Sequence, residues 1–210
     1  MQIIENIIFD YGNVIFMIDF ERAQQAFIHL GVKNVAQVFG HMQQSSLFDD
    51  FDTGQISAAQ FREGIRQLTR QDTLKDEEID AAWNALLIGV PPGRHELLLR
   101  LKQRYQTFLL SNNNEIHYGW IMQYLKQQYG LTDNSTLFVR DYYSHLLGMR
   151  KPNREIFEWI LNEHQLQPET TLFIDDSPQH IATAKSLGLQ TELLTAPDTL
   201  EQLIERKMLL

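Results

Sequence analysis

Short apolar runs alternate with segments of helical spacing along this chain, and this alternation limits the folds that the chain can adopt. Three of the runs end in polar residues, namely IIENIIFD (3–10), YQTFLLSN (105–112) and TLFIDDS (171–177). Each run is typical of a buried strand. The segments with helical spacing are 95–104, 115–128, 153–164 and 179–188. Strands that alternate with helices predict a parallel sheet with helices on both faces.

The region from about 16 to 88 breaks this alternation, because it contains several helical stretches and no convincing strand. A chain of 210 residues is long enough for one core domain that carries an insertion. We therefore predict an α/β core formed by residues 1–15 and 89–210, with a Rossmann-like parallel sheet. Residues 16–88 are predicted to form a helical cap inserted after the first strand.

Residues 50–57, DFDTGQIS, resemble a calcium-binding loop only faintly. The ligand spacing of such a loop and its closing glutamate are both absent. We interpret the segment as a turn that leads into a helix, because Ser57 and Gln60 fit a capping box in front of an apolar helical pattern.

The composition excludes several classes of function. The chain has no cysteine, so disulfides, thiol nucleophiles and thiolate metal sites are excluded. Its formal charge of -9 argues against a nucleic-acid partner, which would require clustered Lys and Arg. The residues MQIIENIIFDYG lack a basic segment and carry too short an apolar run for a signal peptide, so we expect none, and no apolar stretch approaches the ~20 residues of a membrane span. We expect a cytoplasmic protein with no nucleic-acid or membrane partner.

Polar residues stand at the ends of the predicted strands, where ligands bind in parallel sheets. Asp10 ends the first run, and no other charged residue lies between Glu5 and Asp19. Ser111 ends the second run, and the pair Asp175-Asp176 ends the third. These side chains are therefore predicted to meet at one edge of the sheet.

One chemistry uses all of these residues together with Asn112 and Lys151, namely phosphoryl transfer through an aspartyl phosphate. A carboxylate such as Asp10 can attack phosphorus to give a covalent intermediate that water hydrolyses. An anion that approaches an anionic phosphate needs a magnesium ion and fixed donors. Asp10 and a second carboxylate would bind the metal, a hydroxyl and an amide would donate to the phosphoryl oxygens, and a lysine would balance charge.

At this point the chain resembles the haloacid dehalogenase (HAD) superfamily over essentially its whole length. The four motifs occur in order as FDYGNV, FLLSNN, RKPNREIF and LFIDDS. The resemblance implies the following roles: Asp10 as nucleophile, Ser111 and Asn112 as phosphoryl-binding residues, Lys151 as the charge-balancing residue, and Asp176 with Asp175 as magnesium ligands. Asp175 binds the ion either directly or through a metal-bound water. The FDxGNV form of the first motif resembles a subgroup that includes sugar-phosphate phosphatases.

Gly12 is the one departure from the pattern of many HAD phosphatases, which carry a second aspartate at this position. Its backbone carbonyl can still bind the metal. The missing side chain would protonate the leaving group and activate water, a contribution of about 100- to 10,000-fold. Asp19 is a candidate substitute, although its position also fits a helix N-cap. His180 lies where related phosphatases often carry another acid. A position beside the metal ligands, or on a helix surface, explains this residue without a role in metal binding.

The function that these residues favour is a magnesium-dependent phosphatase for a small phosphorylated metabolite, with a sugar phosphate as one candidate. The protein is expected to be a monomer or a homodimer. A haloacid dehalogenase is the alternative enzyme, and the Asp175-Asp176 pair argues against it, because a metal-free reaction on a carboxylic acid gains nothing from two added negative charges. A catalytically silent HAD-like binding protein is the third alternative, supported by Gly12.

Overall fold

The computed structural model of the protein describes residues 3–39 and 45–210. Within them a five-stranded parallel sheet has the strand order β5-β4-β1-β6-β7, and two further short strands pair with each other. The strands are β1 (Asn6–Phe9), β2 (Met17–Ile18), β3 (Leu87–Gly89), β4 (Gln106–Ser111), β5 (Arg140–Tyr143), β6 (Thr171–Asp175) and β7 (Gln190–Leu193).

Helices follow most of these strands. They are α1 (Phe20–His29), α2 (Val35–Val38), α3 (Ser46–Asp52), α4 (Ala58–Thr69), α5 (Asp76–Asn84), α6 (Arg94–Lys102), α7 (Glu115–Tyr129), α8 (Ser144–Leu147), α9 (Arg154–Glu163), α10 (Pro178–Ser186) and α11 (Leu200–Arg206).

The centre of the sheet is β1, which is buried along its whole length. Its residues pair in parallel with β4 on one side and with β6 on the other, so that Ile8 faces Phe108 and Phe173. Alternate β1 residues belong to different apolar clusters, with Ile7 and Phe9 in one and Ile8 in the other. Helices therefore cover both faces of the sheet, and the predicted parallel α/β fold is confirmed.

The described part of residues 16–88, called the cap region below after its prediction as a cap, contains α1 to α5, which pack around aromatic side chains. The ring centroid of Trp83 lies 4.8 Å from that of Phe39, 5.1 Å from that of Phe48 and 5.9 Å from that of Phe27. The predicted capping box at the start of α4 is confirmed, since Ser57 Oγ accepts from the Gln60 amide at 3.3 Å. The interpretation of residues 50–57 as a turn into a helix therefore agrees with the structure.

Two short strands, β2 and β3, join this region to the sheet, although the sequence predicted no strand between 16 and 88. They pair antiparallel, and beyond them the Asp19 amide donates to the Leu86 carbonyl at 2.8 Å. With two and three residues they are too short for a recognisable alternating pattern. The division into a core of residues 1–15 and 89–210 and a cap of residues 16–88 stays a prediction. In the part of the chain that the structure describes, no helix is long and apolar enough to cross a membrane.

Candidate active site

The carboxyl ends of β1 and β6 bring carboxylates together at one edge of the sheet. Asp10 follows β1, Asp175 ends β6 and Asp176 comes next. One carboxylate oxygen from each lies within 4.8 Å of the other two. Lys151, in the loop before α9, donates from Nζ to Asp10 Oδ1 at 2.5 Å and to Asp175 Oδ2 at 2.7 Å. The structure thus brings together four residues that the sequence motifs single out.

Lys151 is fixed through both its backbone and its side chain. The side chain is fully buried, and its Nζ lies 5.5 Å from the centroid of the Phe173 ring. Asn112 Nδ2 donates to the Lys151 carbonyl at 2.8 Å, and the Lys151 amide donates to Asn112 Oδ1 at 2.9 Å. Because one side-chain amide holds both backbone groups, the ammonium can be directed at the two carboxylates with little freedom.

When all three carboxylates are ionised, their negative charge exceeds the positive charge of Lys151. Burial raises the pKa of the Asp10 carboxyl to about 8; Lys151 opposes this rise, and Asp175 and Asp176 reinforce it. Burial disfavours the charged ammonium of Lys151, but Asp10 and Asp175 outweigh it and raise the Lys151 pKa. One ammonium cannot neutralise three carboxylates, and a divalent cation would balance the remaining charge. Carboxylate oxygens are the ligands that magnesium prefers, so the residues present fit this ion.

Asp175 is engaged on both carboxylate oxygens. Oδ1 accepts from the Ser177 amide at 2.8 Å and lies 2.9 Å from His180 Nδ1. Oδ2 accepts from Lys151 and lies 3.0 Å from the same histidine nitrogen. Lys151 holds the pKa of Asp175 below its usual value in spite of complete burial. These contacts favour a role for Asp175 in positioning its neighbours, with contact to a metal through water. His180 lies beside the acidic cluster rather than on a free helix surface.

Asp10, Gly12 and Asp176 line the open side of the site. Asn13 Nδ2 donates to Asp176 Oδ2 at 2.9 Å, which orients the carboxylate. A Cβ at position 12 would lie 2.8 Å from Ile18 Cδ1 and 3.9 Å from Asp10 Oδ2. An acidic side chain at this position would therefore have to displace Ile18. The roles of Asp176 and of the Gly12 carbonyl as metal ligands stay predictions.

Ser111 and Asn112 follow one another at the end of β4, beside the Asp10 strand. Ser111 is buried, and its Oγ donates to the Asn112 carbonyl at 3.3 Å. Asn112 is among the residues that line the cavity next to Asp10, whereas Ser111 is not among the described residues that do so. Their predicted part in binding a phosphoryl group stays a prediction, and the Asn112 side chain has the additional task of holding Lys151.

Asp19 is the N-cap of α1. Its Oδ1 accepts from the amides of Glu21 at 2.9 Å and Arg22 at 3.3 Å. It is also absent from the described residues that line the cavity. The helix-cap interpretation of Asp19 therefore agrees with the structure better than its role as a substitute acid.

We expect Asp19→Ala to lower the free energy of unfolding by about 1 kcal/mol, because a helix N-cap is lost. Asp19→Asn should change it less, since asparagine also caps helices. Single-turnover rates on a series of phosphate esters should keep the same dependence on leaving-group pKa in both variants. A dependence that steepens in Asp19→Asn would instead identify Asp19 as the proton donor.

A cavity of about 130 Å³ opens over the strand ends and is lined from both the core and the cap region. Ile18, Phe20, Trp83 and Leu86 form an apolar wall. Polar side chains line the rest, and the sequence analysis gave no role to five of them: Asp52, Asn114, His117, Arg150 and Ser177. Arg150 also forms an ion pair with Asp49 of α3, a contact between the core and the cap region.

The comparisons with known proteins agree with this fold and site. The family model of the haloacid dehalogenase-like hydrolases matches residues 4–188. The chain belongs to this family, as its motifs predicted.

The relatives also include a protein with an assigned substrate. The chain is 33% identical to the D-ribitol-5-phosphate phosphatase of Bacteroides thetaiotaomicron over 190 residues, which cover 90% of each chain. A HAD family enzyme from the same species, solved in complex with magnesium and inorganic phosphate, is 33% identical with a TM-score of 0.88 and covers 96% of this chain and 98% of that one. A predicted HAD-like hydrolase from Porphyromonas gingivalis is 29% identical with a TM-score of 0.88 and covers 98% of both chains.

Proposed function

We propose that the protein is a magnesium-dependent phosphatase that hydrolyses the phosphate ester of a small metabolite through an aspartyl phosphate. The observation that carries this proposal is the contact of Lys151 with Asp10 and Asp175, next to Asp176 and at the floor of a small cavity. The phosphatase relative and the neighbour solved with magnesium and phosphate support it.

Asp10 is the nucleophile of the proposed reaction. Its carboxylate oxygen forms a bond to phosphorus while the ester oxygen leaves and takes a proton from water. A second water then attacks the acyl phosphate, which releases inorganic phosphate and restores the carboxylate. Lys151, held at 2.5 Å from Asp10 Oδ1, favours the ionised form of the nucleophile against the effect of burial and orients it.

Four groups would hold a magnesium ion in this site: the carboxylates of Asp10 and Asp176, the carbonyl of Gly12, and Asp175 directly or through water. When bound, the ion would offset the repulsion between the attacking carboxylate and the phosphoryl oxygens. Asn112 and Ser111 would bind the phosphoryl group from β4. Gly12 provides no side-chain acid to the site, and Ile18 fills the space beside it.

The charge of the site argues against the dehalogenase alternative. A haloacid is itself a carboxylate, and it would enter a cavity lined by Asp10 and Asp176 with Asp175 behind them. Like charges at this spacing repel one another unless a cation binds with the substrate. The silent-protein alternative requires no turnover at all, and a generic aryl phosphate assay with magnesium distinguishes it.

We further expect a cytoplasmic enzyme that acts as a monomer or a homodimer on a phosphorylated metabolite, with no nucleic-acid or membrane partner. The negative net charge supports the expected absence of a nucleic-acid partner, and the cavity supports a small substrate.

The experiment that tests the proposed function is removal of the metal. Turnover of an aryl phosphate and of a panel of phosphorylated metabolites should stop on exhaustive chelation and return when magnesium is added. Chelation should also lower the melting temperature, because a ligand that binds only the folded state stabilises it by mass action. Phosphatase activity that survives complete chelation would contradict the metal assignment, and the absence of turnover with magnesium on every ester would contradict the phosphatase assignment.

A further inference from the structure

The cap side of the cavity carries a carboxylate that the reaction does not need. Asp52 ends α3, is 6% exposed, and lines the same cavity as Asp10 and Asp176. We propose that Asp52 is a specificity-determining residue that accepts a hydrogen bond from a substrate hydroxyl, so that the enzyme selects phosphate esters of polyhydroxylated carbon chains. This inference rests on the proposed phosphatase function and deepens it.

Asn114 fixes the position of Asp52. It is the N-cap of α7, and its Nδ2 donates to Asp52 Oδ1 at 3.0 Å. The amide oxygen of Asn114 accepts from Trp83 Nε1 at 3.2 Å and from the His117 amide at 3.1 Å. Because two donors point at this oxygen, the side-chain amide has a single orientation, with its NH₂ group facing Asp52.

His117 uses the second hydrogen of that NH₂ group. Its Nε2 lies 3.1 Å from the Trp83 carbonyl, which can only accept, so Nε2 carries the proton. Its Nδ1 is then an acceptor and lies 3.3 Å from Asn114 Nδ2. Burial lowers the pKa of His117 to about 4, so the ring stays neutral in this arrangement. Every group in the chain of contacts from Trp83 to Asp52 therefore has one defined donor or acceptor role.

The backbone of Asp52 also attaches this part of the cap region to the core. The Asp52 carbonyl already accepts from Ser144 Oγ at 2.5 Å, a contact that any residue at position 52 could make. A carboxylate has about four acceptor positions, so Asp52 can accept a ligand hydroxyl in addition to its hydrogen bonds within the protein. Because Asn114 holds the Asp52 carboxylate in place, this carboxylate is positioned to accept a hydrogen bond from a hydroxyl of the ligand. Sites that select a substrate by its hydroxyl groups use such fixed partners.

The remaining wall suits the carbon chain of such a substrate. Trp83 stacks on His117 with ring centroids 4.3 Å apart, and Phe20 and Leu86 line the cavity beside it. A short carbon chain can pack against these rings while one of its hydroxyls reaches Asp52.

The test compares a pentitol 5-phosphate with pentyl phosphate, two esters of the same chain length, in wild type and Asp52→Asn at saturating magnesium. Wild type should have the higher kcat/KM on the pentitol ester. In Asp52→Asn, kcat/KM on this ester should fall about 10- to 100-fold, the range expected when a hydrogen bond to a charged group is lost. On pentyl phosphate it should fall less than about threefold, because no hydroxyl is present to lose its acceptor.

Two further variants separate specificity from folding. Asp50→Asn makes the same change in the same helix outside the described cavity lining, and should leave both kcat/KM values within about twofold of wild type. Asn114→Asp keeps the oxygen that caps α7 but replaces the donor to Asp52 with a carboxylate, and should reduce the preference for the pentitol ester. Circular dichroism and thermal unfolding establish that each variant is folded, and Asp52→Ala replaces Asp52→Asn if the latter is not.

An equal loss on both esters in folded Asp52→Asn would assign Asp52 a structural role and overturn the inference. So would a wild type that hydrolyses both esters equally well, while the phosphatase function would stand. A wild type that hydrolyses no phosphate ester with magnesium would overturn the proposed function and this inference with it.

Discussion

Asp10→Asn should abolish turnover and leave the fold intact. Asparagine has the shape of aspartate but is not a nucleophile toward phosphorus, so no aspartyl phosphate can form. Loss of a nucleophile that acts with its partners as a unit costs at least about 1,000-fold in kcat. The measurement is the rate of phosphate release from an aryl phosphate with magnesium, on protein shown by mass spectrometry to be free of deamidation at position 10.

The stability of the same variant provides the control. Burial raises the pKa of Asp10 to about 8, so in the metal-free protein its ionisation disfavours the folded state progressively as the pH rises from about 4 to 8. Metal-free Asp10→Asn does not carry this penalty, and at pH 8 it should melt no lower than metal-free wild type. More than a few per cent of wild-type activity in the folded variant would contradict the nucleophile assignment.

Lys151→Met should affect both turnover and stability. The substitution keeps an unbranched apolar side chain one atom shorter than lysine but leaves Asp175, which is 0% exposed, without the ammonium that contacts it. Removing one partner of a buried ion pair costs about 3 to 5 kcal/mol. We expect the metal-free variant to lose about this much in the free energy of unfolding, and to lose turnover because Asp10 is no longer oriented.

Added magnesium distinguishes the two effects of Lys151→Met. The ion compensates carboxylate charge, so it should raise the melting temperature of the variant by more than that of wild type, without restoring turnover. Lys185→Met on the exposed side of α10 is a matched control and should leave turnover and melting temperature unchanged. A Lys151→Met protein as stable as wild type without metal would contradict the proposed charge balance.

The sequence predicted the middle of the sheet but not its edges. The three predicted strands correspond to β1, β4 and β6, the adjacent central strands, whose residues are buried almost throughout. β5 (RDYY) and β7 (QTEL) were missed, because edge strands retain polar residues and lack a continuous apolar run. The pattern that identifies a buried parallel strand is a consequence of burial on both faces, which edge strands have only in part.

The same contrast holds for the site. Asp10, Lys151 and Asp176 lie in short motifs that can be read locally, and the structure places them together. Asp52 and Asn114 are separated by 62 positions and meet only because the cap region packs on the core. One local signal could have identified Asn114 as a helix N-cap, namely its place in the run SNNN just before a helix. No local pattern pairs it with a carboxylate 62 positions away.

The pairing of β2 with β3 has a consequence for how such chains can vary. The segment by which the chain leaves the sheet lies next to the segment by which it returns. The Asp19 amide of the first donates a hydrogen bond to the Leu86 carbonyl of the second at 2.8 Å. A segment whose ends are already adjacent can change length or sequence at little cost in loop-closure entropy. A different insertion between the same two ends would supply different cavity walls over an unchanged Asp10 and Lys151.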